Sequence, residues 1–203
     1  MNEKTATILS FLFHPLILPC ATLAVMMGMD PVVSALLTPG LKLMILGMVF
    51  ITTILVPLLV IFLLYRFGLI GSFYMKEREE RGIPLLMVAG SYYLTYYLLK
   101  GLHLPQIFHL FMLGATGMII LLILFHFYRK VSLHMAGMGA FTGLIAGMAL
   151  QNPFHAFWFI SAGLFLSGLI GTARLKLNAH QPSDICIGWL TGAAVMFCTG
   201  FFL

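Results

Sequence analysis

The sequence predicts an all-α fold: a polytopic membrane bundle of about seven transmembrane helices, forming a single domain over residues 1–203. Composition is the first reason. Hydrophobic residues make up 61% of the chain and charged residues 8%, whereas a soluble domain carries about 25% charged residues. Mean hydropathy is +1.05, so the surface must face lipid. The second reason is a series of apolar runs of spanning length, separated by short polar breaks. Together these exclude a cytosolic enzyme, a secreted disulfide scaffold and a disordered tail. Cys20, Cys186 and Cys198 lie far apart in apolar runs and form no CxxC pair, so they point to neither a disulfide framework nor a metal.

A bilayer-spanning helix needs about 20 apolar residues. The first run, 6–29, closes at Asp30-Pro31. It is longer than a signal-peptide core and no short small-residue cleavage site follows, so a cleavable signal is not expected. The second, 41–67, opens after Thr38-Pro39-Gly40. The third, 84–99, starts at a proline and is short, and the fourth runs over 105–128. The fifth, 133–150, is also short, and Asn152-Pro153 leads into the sixth, 153–172. Gln181-Pro182 opens the last, 183–203. These breakers favour turns and helix starts. Short connections make neighbouring spans antiparallel, and the runs lack the two-residue alternation of barrel strands.

Small residues recur every four positions: Gly139, Gly143 and Gly147 in the fifth span, Gly163, Ser167 and Gly171 in the sixth, Gly188 and Gly192 in the seventh. That spacing lets helix backbones approach closely in lipid. It makes the last three spans the expected compact centre.

Counting crossings sorts the polar residues onto two membrane faces. Lys4, Arg66, Lys76, Arg78, Arg81, Arg129, Lys130, Arg174 and Lys176 fall on one face, and only Lys42 and Lys100 on the other. The net charge of +5 therefore reports orientation and headgroup contact. No basic run interleaved with aromatics points to nucleic acid.

Every candidate for chemistry lies on the charged face. Arg174 and His180 precede Pro182, which suits the first turn of a helix. Asp184, in that first turn, is placed to hold one ring nitrogen of His180 and leave the other free. The helix N-terminus favours an anion, and Arg174 supplies a planar cationic fork for phosphate or carboxylate oxygens. The plainer alternative is that Arg174 and Lys176 snorkel to headgroups while Asp184 caps the helix.

A second element, Ser132 and His134, opens the fifth span. His134 can present a proton while Ser132 and nearby backbone N–H groups hold an oxyanion; a capping serine beside a surface histidine is the default. A third, from Lys76 to Arg81, reads equally as a solvated turn whose Glu77, Glu79 and Glu80 offset three cations or as a phosphate-binding loop. His14, His103, His109, His126 and His155 share no face or spacing with these elements and are assigned to interfacial or interhelical hydrogen bonding. Tyr92, Tyr93, Tyr96 and Tyr97 form an interfacial belt or one wall of a lipid groove.

Together the three elements resemble the type-2 phosphatidic acid phosphatase superfamily of lipid phosphatases, from about Lys76 to the C-terminus. Its third motif, Ser-Arg-x5-His-x3-Asp, is matched by Arg174, His180 and Asp184 at full spacing, with Ala173 in place of Ser. Its second, Pro-Ser-Gly-His, is matched by Ser132 and His134, with Val131 and Leu133 as departures. The Lys…Arg-Pro motif is loosely matched by Lys76 and Arg81, and Pro84 does not directly follow an arginine. Arg78, Arg129 and Lys130 are substitutes for these two. Usual members place the first two motifs in one loop, whereas two spans separate them here.

The resemblance implies that His180 attacks phosphorus and forms a phosphohistidine, with Asp184 orienting it. His134 would protonate the leaving alkoxide, and Arg174, Ser132, Lys76 and Arg81 would bind the phosphoryl oxygens. No metal and no cofactor is expected. The expected partners are a lipid phosphate substrate and membrane lipids, in the inner or plasma membrane. Phosphatidic acid, phosphatidylglycerol phosphate, a polyprenyl diphosphate and phosphorylated lipid A all fit. A non-catalytic phosphate-binding protein with a degenerate site is the rival reading. A transporter would need ionisable residues at mid-span, and these lie at span ends. The positive-inside rule puts the charged face in the cytosol, whereas many family members work on the opposite side.

Overall fold

The first expected span folds as two helices. α1 (Glu3–Leu12) stops short, and α2 (Leu18–Met29) follows after a tight turn. Pro15 and Pro19 lack the N–H groups a continuous helix would need. The turn is closed instead by His14 N–H to the Phe11 carbonyl (3.2 Å) and Ile17 N–H to the His14 carbonyl (2.8 Å). The computed structural model describes residues 1–29, 31–71, 79–102, 104–150 and 156–202.

A short α3 (Pro31–Leu36) leads to α4 (Pro39–Phe50), which continues through a π turn (Ile51–Leu55) into α5 (Val56–Arg66). Pro57 follows the wider turn, where its missing N–H would interrupt an α-helix. A 3-10 turn (Glu79–Arg81) precedes α6 (Gly82–Gly101), and α7 (Gln106–His126), α8 (Leu133–Ala149), α9 (Ala156–Lys176) and α10 (Pro182–Phe201) complete the chain. No strand occurs among the described residues.

Five helical stretches are long and apolar enough to cross a membrane: Pro39–Arg66, Gly82–Gly101, Gln106–His126, Ala156–Lys176 and Pro182–Phe201. Two shorter apolar helices, Leu18–Met29 and Leu133–Ala149, join them, consistent with a bundle of about seven spans. Large apolar side chains point outward on these helices, among them Leu43, Trp158 and Phe165. This is a multi-pass membrane protein.

α8 and α10 form the tightest seam. A Cβ on Gly139 would overlap the Trp189 carbonyl, one on Gly143 the Ala193 carbonyl, and one on Gly147 the Phe197 carbonyl. From the other side, Gly192 has no room against Ala136, nor Gly200 against Leu144. The partners advance together along both chains, so α8 and α10 run parallel with their N-termini at the same end. α9 runs antiparallel to them. Gly163 lies against Phe141 and Thr142, and Gly171 against Met135 and Ile185. Trp189 Nε1–H donates to Ser167 Oγ (2.9 Å) across the α9–α10 contact. The four-residue spacing thus packs as expected. Its consequence for function is that the start of α8, the end of α9 and the start of α10 meet at the charged end.

Candidate functional site

Local backbone chemistry delivers His180 to this end. α9 terminates on Asn178, which adopts φ 50°, a left-handed conformation that asparagine tolerates better than most residues. Asn178 N–H then bonds to the Leu175 carbonyl (3.0 Å), and Ala179 N–H to the Arg174 carbonyl (3.1 Å). This paired closure reverses the chain within two residues, so His180 returns beside the α9 terminus. α10 begins at once, with Pro182 in its first turn.

His180 Nδ1 lies 3.0 Å from the Lys130 carbonyl. A carbonyl oxygen only accepts, so Nδ1 carries the proton and Nε2 keeps its lone pair. Burial first, and the Arg174 charge second, push the His180 pKa down to about 4. The Lys130 carbonyl and Asp184 oppose that shift, and Arg81 adds to it. The imidazole is therefore neutral at pH 7, with an unprotonated Nε2.

Of the two roles the sequence offers Asp184, orienting that ring or capping the last helix, the structure shows the cap: Asp184 Oδ2 accepts from Gln181 N–H (3.2 Å). The uncapped N–H groups at a helix start compete for a first-turn carboxylate, and here they hold it. Asp184 acts on His180 through charge alone. Ser132 departs further from expectation. It occupies the N-cap position of α8, but its hydroxyl makes no capping bond. The residue is fully buried, and its backbone N–H joins the Asp184 carbonyl (3.2 Å), tying the starts of α8 and α10 together. Its Oγ has no partner and does not line the cavity described below.

His134 Nε2 lies 3.0 Å from the Ser10 carbonyl, which the break after α1 leaves without an intrahelical partner. Its Nε2 proton is thereby engaged and Nδ1 keeps a lone pair. His14, assigned from sequence to a separate role, packs edge-on against His134, with ring centroids 5.5 Å apart and planes at 82°. His14 Nδ1 accepts from Leu16 N–H (3.3 Å), so its Nε2 bears a proton. His14 belongs to the site. The signal that finds it is the proline pair that ends α1 on the charged face.

Arg174 sits at the centre of these groups, its charge acting on His14, His134 and His180. Its Nε is buried without a hydrogen-bond partner, and among the described residues no carboxylate pairs with it. Arg81, at the start of α6, is close enough for the two guanidinium groups to repel each other. Lys76 and Arg78 lie outside the described residues. Glu80, one of the acids expected to offset this segment, accepts from Gly71 N–H (2.7 Å).

Arg81, Arg174, His14, His134, His180 and Ser10 line one cavity of about 660 Å³. The rest of its wall is mostly apolar, drawn from α1, α2, α5, α6, α7 and α8, with Met196 from α10 and Thr7, Thr22 and Tyr92 as its polar members. Tyr92 is part of that wall and buried, while Tyr93 and Tyr97 are exposed; the tyrosine group divides between lining and surface. The site joins a cationic, histidine-rich end to a chamber suited to hydrocarbon. No family model matches the chain, and neither a curated protein nor a solved structure matches it.

Proposed function

We propose that this protein is a metal-independent lipid phosphatase, hydrolysing a lipid phosphomonoester or diphosphate through a phosphohistidine. The observation that carries this reading is the Arg174 guanidinium, its Nε buried without a partner beside the free Nε2 of His180, at the head of an apolar chamber. A buried guanidinium N–H with no acceptor is costly unless an anion completes it. A phosphate oxygen is the natural complement to the arginine fork.

In the first step Nε2 of His180 attacks phosphorus, the P–N bond forms and the P–O bond to the lipid breaks. The leaving oxygen takes a proton from His134. Because the His134 Nε2 proton is held by the Ser10 carbonyl, the donated proton is one taken up at Nδ1, facilitated by the bound phosphate charge. In the second step water attacks phosphorus, the P–N bond breaks and inorganic phosphate leaves, with neutral His134 removing the water proton. Arg174 and Arg81 bind the equatorial oxygens throughout. The Lys130 carbonyl takes the orienting role at Nδ1 that the family resemblance would give to Asp184.

A second reading has its own support. The engaged Nε2 of His134 and the capping role of Asp184 suit a protein that binds a lipid phosphate without cleaving it. Assaying purified protein for phosphate release in EDTA decides. Release from a lipid phosphate that His180→Ala abolishes supports the phosphatase; binding without release supports the second reading. Release undiminished in His180→Ala overturns the mechanism.

A further inference from the structure

The apolar part of the cavity has a definite depth. On α6 the lining runs from Arg81 to Tyr92 and on α7 from Leu122 to Phe111, each about 16 Å at 1.5 Å per residue. A hydrocarbon core is about 30 Å thick. The chamber therefore starts near the charged end and ends inside the bilayer, with Tyr92 about 15 Å from the start of α6 and Phe111 and Met196 about 22 and 21 Å from the charged ends of α7 and α10. Buried side chains close it inside the bundle: Tyr92, Phe111 and Met196 are each almost fully inaccessible. Phe11, near the charged end, and Leu58, toward mid-span, line the cavity while remaining exposed, which gives access from surrounding lipid.

Apolar cavities do not fill with water, and an empty one forfeits the contacts of its whole lining. Hydrocarbon is the available filling, and the cationic end selects a chain that carries phosphate. We infer that the chamber is a tail site: it takes one chain of acyl length, attached to the phosphate, from the leaflet on the charged side. The inference rests on the phosphate reading of the charged end and adds a limit on the substrate. A chain much longer than about 22 Å, as in a polyprenyl diphosphate, does not fit inside.

Alkyl phosphonates from octyl to eicosyl, which cannot be hydrolysed, test this in nanodiscs at equal mole fraction. Affinity should rise with chain length until the chamber is full and then stop rising. Ala115→Leu, which fills part of the lining, should move that limit to shorter chains. Val88→Ala, which enlarges it, should move the limit to longer ones. Inorganic phosphate should bind both variants as it binds the unaltered protein. Should Ala115→Leu fail to fold, the shift in Val88→Ala decides alone. Affinity indifferent to chain length, or a limit that Val88→Ala leaves in place, overturns the tail site. The two readings fail differently. Binding that needs Arg174 but ignores the chain sinks only the tail site, whereas chain-dependent binding unaffected by Arg174→Met sinks the phosphate reading.

Discussion

The seam between α8 and α10 and the cavity beside it are built from opposite physical choices. In the seam, glycines bring backbones so close that a single methyl group has no place. In the cavity, about 660 Å³ stays open beneath a guanidinium whose Nε has no partner. One region is optimised for packing; the other keeps space and an unmet charge. Regions that forgo stability in this way are where function is expected. The rigid seam also serves the open site, because it fixes the helix starts that carry His134 and His180.

Breaking the seam should have the largest effect. Gly192→Leu places a branched side chain against the Ala136 carbonyl and should cost more than about 3 kcal/mol, the upper range for overpacking. Loss of folded protein in thermal unfolding would show it. Gly168→Ala is the control. Nothing lies within 4 Å of a Cβ there, so the change should stabilise by about 0.5–1 kcal/mol. Equal behaviour of the two variants would remove the distinction between seam and surface.

Arg174→Met should do the reverse of a seam substitution. Phosphate binding should be lost, while stability stays level or rises by about 1 kcal/mol, because a buried unmet donor disappears. Binding and thermal unfolding on one preparation separate the two effects. A strongly destabilised Arg174→Met would mean that the guanidinium is structural.

The His14 variants should have smaller effects. His14→Phe keeps the ring and removes the Nε2 donor, so phosphate affinity should fall about 2–10-fold, one hydrogen bond's worth. His14→Gln, which retains a donor, should recover most of it. Equal affinity in the unaltered protein and His14→Phe would remove His14 from the site.

The pH dependence should be the subtlest signature. Carbethoxylation of His180 should titrate near pH 4, not near 6.5. Arg174→Met should move the midpoint upward, since the Arg174 charge is the second cause of the shift. For stability, the unfolded chain binds a proton between about pH 4 and 6.5 that folded His180 does not. This contribution is complete above 6.5 and is lost as pH falls through the window. A midpoint at 6.5 would contradict the burial of this ring.

Much of this contrast was legible in the sequence, and unevenly. Gly139, Gly143, Gly188 and Gly192 announced the seam, because close backbone approach needs nothing except residue size and spacing. Crossing parity brought Arg174, His134 and His180 to one end. What the sequence hid was mostly backbone. The Lys130 and Ser10 carbonyls that orient the histidines leave no trace in residue type. Asp184 had two available partners, and the Gln181 N–H took it. Ser132 read as a cap, yet burial at the seam withdrew its hydroxyl. His14 was concealed inside a hydrophobic run of spanning length, which Pro15 and Pro19 break into α1 and α2.

If His180 is the nucleophile, as proposed, it must carry phosphorus between the two chemical steps. Brief incubation with a radiolabelled lipid phosphate, followed by alkaline quenching, tests it directly. The expected product is an acid-labile phosphohistidine at His180, formed in EDTA, abolished in His180→Ala and greatly reduced in Arg174→Met. Phosphate release with no such label, or a label that persists in His180→Ala, would contradict it.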